Sequence, residues 1–186
     1  MAHRSKRPDK RRRFIPSTST QSPIEIALHR AGALLPSERA ELLGPVREAF
    51  AAFRRGHGNL DAWAQLSDTF NIATELTLRQ IASDHKDTFA AAQEALAAVF
   101  TRCEQGGSWT LRGEEIAAID LAVDVFAIQL DYCSRGELGE SVNRVINRVR
   151  QALAGNAAPG VRVCAPSLFL ASHAPQRGAA PVQPQA

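Results

Sequence analysis

Between Thr110 and Ser134 the sequence sets Ile116, Ile119, Val123, Phe126, Leu130 and Cys133 in a 3-4-3-4-3 spacing. That repeat is the period of an α-helix and of nothing else in the regular structures. Leu121, Val125, Ile128 and Tyr132 form a second apolar row beside the first. Two adjacent rows predict a helix buried over a wide arc, as the centre of a bundle requires. Thr110 is the expected cap, with Glu114 and Glu115 near the positive end of the helix dipole.

The flanking sequence repeats this grammar. Ser22-Pro23-Ile24-Glu25 reads as a capped helix start, and that helix is predicted to end at Gly32. A second helical region starts near Ser37, is interrupted at Gly44-Pro45, and resumes with Val46, Ala49, Phe50 and Phe53 on one face before the glycines of "RRGHGN". Asn59 can cap the next helix, whose stripe Trp63, Leu66, Phe70 and Ala73 is wide enough for a core or a dimer seam. Ser83-Asp84 breaks or bends the chain. Phe89, Leu96, Val99, Phe100 and Cys103 then mark a helix closed by Gly106-Gly107. After the central helix, Gly136 separates off a last one with Leu138, Val142, Val145, Val149 and Ala152 inward. Nothing alternates as a strand does. The fold class is therefore all-α: a single-domain bundle of about five or six helices over residues 22–154. Disordered tails are expected at 1–21 and 155–186, the first basic and polar, the second rich in Pro, Gly and Ala.

Charge is distributed unevenly. Residues 1–13 hold Arg4, Lys6, Arg7, Lys10, Arg11, Arg12 and Arg13 against Asp9, whereas residues 14–154 hold thirteen basic and eighteen acidic groups. A mildly acidic body with a basic arm points to a polyanionic partner more than the overall charge of +3 does. Cys103, Cys133 and Cys164 form no CxxC pair and suit a reducing compartment. No run of apolar residues is long enough for a membrane span, and no apolar segment follows the basic start as in a secretory signal. These features predict a cytoplasmic, bacterial protein.

Catalytic constellations are not evident. The five histidines, at 3, 29, 57, 85 and 173, stand at no metal-binding offset from one another or from a cysteine, so neither a metal nor a cofactor is expected. Gly-rich phosphate loops and nucleophile elbows are lacking. A site assembled from His57, His85 and the aspartates is the residual enzymatic alternative, and the expectation is that the protein is not an enzyme.

Two faces carry candidate contacts instead. Asp120, Asp124 and Asp131 share one face of the central helix, either solvated or set against a basic partner. On the last helix, "NRVINRVRQ" groups Asn143, Arg144, Asn147, Arg148 and Arg150, the side-chain types that read phosphates and base edges. The seven basic residues of the arm could add salt-dependent, sequence-blind phosphate contacts, or serve only to solubilise.

"GHGNLDAWAQLSDTFNIATEL" and "GGSWTLRGEEIAAIDLAVDVFAIQLDYCSRGEL" resemble segments of small helical proteins, mostly uncharacterised, that phages and integrated mobile elements of proteobacteria carry. The resemblance spans roughly residues 50–153 and rests on helix starts, post-loop tryptophans and core stripes, so it implies a scaffold and no active site. What it implies about role is an accessory protein that binds a host or phage protein complex, as an inhibitor of defence or transcription does. Binding of nucleic acid through the arm and last helix is the alternative.

Overall fold

A computed structural model describes residues 23–154; the arm and the C-terminal segment, with the expectations placed on them, lie outside the described residues. Six α-helices follow one another: α1 (Pro23–Ala31), α2 (Pro36–Arg54), α3 (Leu60–Leu78), α4 (Lys86–Glu104), α5 (Gly113–Tyr132) and α6 (Arg135–Leu153), with one 3-10 turn at Ser83–His85. Among the described residues there is no strand, only an isolated bridge between Ala33 and Ser134. No described helix is long and apolar enough to cross a membrane. The all-helical bundle expected from periodicity is what the chain forms.

Local chemistry explains most boundaries. Asn59 caps α3 by accepting the Ala62 N–H at 2.8 Å. Ser134 caps α6 through a reciprocal box in which Glu137 accepts the Ser134 N–H at 2.8 Å and donates its own to the serine hydroxyl at 3.2 Å. Gly106, at φ +82, turns the chain out of α4, a left-handed conformation that glycine adopts without strain. The turn after α3 makes the same exit with Gln80 at φ 67, and Ile81 N–H bonds back to the Leu76 carbonyl at 3.1 Å.

Four expectations are corrected. First, α2 runs unbroken through Pro45, which stands exposed inside the helix. An interior proline costs about 3 kcal/mol, but Leu43 and Val46 are both buried on either side of it. Each buried side chain of that size contributes roughly 1.5–3 kcal/mol, enough to hold the helix together. Second, Thr110 does not cap α5. The helix starts three residues later, with Arg112 donating its N–H to Glu115 at 2.7 Å while Thr110 pairs with the Ser108 hydroxyl at 2.8 Å. Arg102 fixes that start by holding Glu115 with two bonds of 2.6 and 2.7 Å. Third, Gly136 does not separate helices; it lies in the first turn of α6, close against the backbone of Arg30.

The fourth correction concerns the centre. α3, not α5, is the axis: it packs against α2, α4, α5 and α6. Its Trp63 stripe is wholly core, with Trp63 Nε1 donating to the Leu96 carbonyl at 2.7 Å, so it is no dimer seam. The rings of Trp63, Phe100 and Trp109 cluster at the same end, with Trp63 and Phe100 centroids 4.7 Å apart. Gly58 is required there, because a Cβ would meet the Phe53 ring and the Trp109 carbonyl at 2.5 Å.

Candidate interaction faces

The α6 face is mostly, but not wholly, the one expected. Asn143, Arg144, Asn147 and Arg150 are exposed, as a polar strip at helical spacing should be. Neither Arg144 nor Arg150 takes part in an ion pair among the described residues. Arg148 does not belong to this strip. It lies at the edge of the buried face and forms an ion pair with Glu75 of α3, a carboxylate only 1% exposed. A buried carboxylate without its cation is costly, so Arg148, though its side chain is 36% exposed, is tied to Glu75 rather than free on the strip.

The outer face of α5 departs further from expectation. The first apolar row is buried as predicted, apart from the half-buried Ile116. Of the second row only Val125 is buried; Leu121, Ile128 and Tyr132 are 54%, 44% and 79% exposed. At 100° per residue these three fall on one strip, and Asp120, Asp124 and Asp131 fall on the strip next to it. Asp131 pairs with Arg39 of α2, while Asp120 and Asp124 are exposed. The helix carries five acidic residues and no basic one. Its outer face is thus acidic on one side and apolar on the other, and no described helix covers it.

Polar residues that the sequence reading passed over organise the inside. Gln129, fully buried, directs its amide N–H groups at the Ala73 carbonyl (3.0 Å), the Thr77 hydroxyl (2.9 Å) and the Ile81 carbonyl (3.1 Å), tying α5 to the end of α3. The clue was available: Ala122, Phe126, Gln129 and Cys133 keep 4-3-4 spacing, so a glutamine stands on an apolar row. At the start of α6 Arg135 grips Glu38 with bonds of 2.9 and 2.7 Å, joining it to the start of α2.

Titration follows from these contacts. Glu38 is held below its ordinary value first by the Arg135 hydrogen bonds and then by the Leu35 N–H. Glu115 is lowered by Arg102, and Glu137 by the Ser134 backbone N–H. All three move away from the direction a general acid needs. Burial, reinforced by Glu137, pushes the Cys133 thiol up to about 11, so it stays protonated at neutral pH and is a poor nucleophile. His57 lies exposed in the α2–α3 loop and His85 in the 3-10 turn, on separate connections. Among the described residues no group of histidine, cysteine or carboxylate side chains could hold a metal ion.

The chain matches no protein-family model, no curated protein and no solved structure.

Proposed function

We propose that this chain is a non-enzymatic interaction protein of a bacterial mobile genetic element, acting in the cytoplasm as an inhibitor or modulator of a host or phage protein complex. One observation carries the reading. Among the described residues Arg144 and Arg150 form no ion pair and, with Asn143 and Asn147, cluster exposed on one strip of α6, whereas Arg39, Arg79, Arg102, Arg135 and Arg148 are each engaged by a carboxylate of the body. Arginines left without internal partners on a well-packed scaffold are free to meet an acidic or phosphate-bearing surface. The down-shifted carboxylates and the protonated Cys133 support a binding role over catalysis.

The second reading, nucleic-acid binding by the arm and the same α6 strip, is favoured by the residue types themselves, since arginine and asparagine contact both phosphates and bases. One experiment separates the two. Full-length protein and its Arg144→Glu/Arg150→Glu variant are compared for retention of host proteins after nuclease treatment, and for binding to labelled single- and double-stranded nucleic acid at two salt concentrations. A partner protein retained without nucleic acid, and lost in the folded variant, supports the leading reading. Affinity that falls steeply with salt and survives only with nucleic acid transfers the function to the second. Arg148 is left untouched in this test because of its pairing with Glu75.

A further inference from the structure

The uncovered outer face of α5 has an occupant of suitable chemistry in the chain itself. We propose that the basic N-terminal arm docks on that face in cis. Phe14 and Ile15 would lie on the apolar strip of Ile128 and Tyr132, and Arg11–Arg13 along Asp124 and Asp120.

Charge complementarity is the first support. Of the five acidic residues of α5, Glu115 is held by Arg102 and Asp131 by Arg39, which leaves Glu114, Asp120 and Asp124 without an ion pair among the described residues, and the arm gathers seven basic residues against a single acid. A second copy of the chain fits the face less well, because a symmetric pairing of two α5 helices would set Asp120 and Asp124 against their own duplicates.

Reach and order supply the second support. The C-terminal end of α1 is clipped to the corner between α5 and α6 by the Ala33–Ser134 bridge and by Arg135 N–H donating to the Gly32 carbonyl at 3.0 Å. Tyr132 lies two residues before Ser134. The nine-residue α1 leads back from that corner over about 12 Å, at ~1.5 Å per residue. From Pro23, the nine-residue step back to Phe14 spans up to ~30 Å of extended chain. Phe14 therefore reaches the C-terminal half of α5.

From that corner outward, α5 presents Tyr132 and Ile128 first and Asp124 and Asp120 after them, about 6 to 12 Å further along. Moving away from Pro23, the arm presents Ile15 and Phe14 first and Arg13, Arg12 and Arg11 next. Apolar meets apolar and basic meets acidic in one parallel register, arm and helix running in the same direction. A tether this short holds the arm at an effective concentration in the millimolar range, so modest contacts suffice. Docked in this way, the arm is withheld from any polyanion until salt or a competitor displaces it.

The test needs no external partner, so it stands apart from the proposed function. The full-length chain, freed of nucleic acid, carries p-benzoylphenylalanine in place of Phe14 and is irradiated, and the cross-linked peptides are mapped. The expected product joins the arm to residues 121–132 within one chain, at a yield unchanged by tenfold dilution. Asp120→Lys/Asp124→Lys should lower that yield at least fivefold. Adding Arg11→Glu/Arg12→Glu/Arg13→Glu should restore it to within twofold, which damage to the fold would not do. Cross-links spread over other helices, products found only between chains, or a yield indifferent to the charge reversals would each overturn the proposal.

Discussion

Helices α3 and α5 exchange the places that their compositions suggest. α5 is the most apolar helix of the six, yet it stands at the edge and leaves Leu121, Ile128 and Tyr132 in solvent. α3 carries Ser67, Thr69, Glu75 and Thr77, yet it is the axis, with all four of those residues buried. Centrality follows from the number of neighbours that can satisfy a helix, polar groups included. Thr69 and Thr77 donate their hydroxyls to the carbonyls one turn back, at 2.7 and 3.0 Å, and Glu75 is neutralised from α6. Three of these four polar residues have a partner in the core, while the Ser67 hydroxyl has none among the described residues. Apolar residues left at an edge, conversely, are available for binding rather than for folding.

This contrast can be broken or sharpened by substitution. The largest effect is expected from Phe70→Ala on α3, which should cost ~3–5 kcal/mol in denaturant unfolding because its ring is fully buried beside Phe89. Arg148→Glu should follow at about 3 kcal/mol, since it confronts buried Glu75 with a second carboxylate. Replacing the pair together, Glu75→Gln with Arg148→Met, should recover most of that loss; a double variant as unstable as the single one would refute the pairing. Gln129→Ala should cost about 1–3 kcal/mol by taking its donor from the Ile81 carbonyl, while the Ala73 carbonyl keeps the Thr77 hydroxyl.

A smaller effect is expected on acidification. Glu115 and Glu137 have folded-state values below the ordinary 4.5, so their stabilisation is complete above that pH and is lost as pH falls through the depressed values. Melting temperature should be level from neutral pH down to near 4.5 and decline below it, and Glu115→Gln should flatten the decline. Least of all, Leu121→Ala, on α5 but outside the contacts proposed for the arm, should stay within ~0.5 kcal/mol of the parent. A large loss there would mean that the cover on this face extends beyond Ile128 and Tyr132.

The sequence was legible where one residue decides one event. Asn59 starts a helix and Gly106 ends one through side-chain or backbone chemistry that acts over three or four positions. It was less legible where tertiary contacts choose. Pro45 signals a break that the buried residues around it override. The start of α5 depends on Arg102, ten residues before the N-cap Arg112, and nothing in the local pattern at Thr110 reveals that. Arg148 shares its spacing with Arg144, but only Glu75, lying on α3, distinguishes a committed arginine from a free one. On α5 the first row is buried as the pattern predicts, apart from the half-buried Ile116, but Leu121, Ile128 and Tyr132 of the second are exposed, since periodicity describes the helix and not the number of neighbours it will receive.

The aromatic cluster has a consequence for anyone who watches this protein unfold. The chain contains two tryptophans, and both belong to the group formed where α3 begins and α4 ends, with ring centroids 6.4 Å apart. Intrinsic fluorescence is therefore a lamp fixed at one end of the molecule. The clasp of α1 on the α5–α6 corner lies in its shadow, and a detachment there would show in circular dichroism while the emission spectrum stood still.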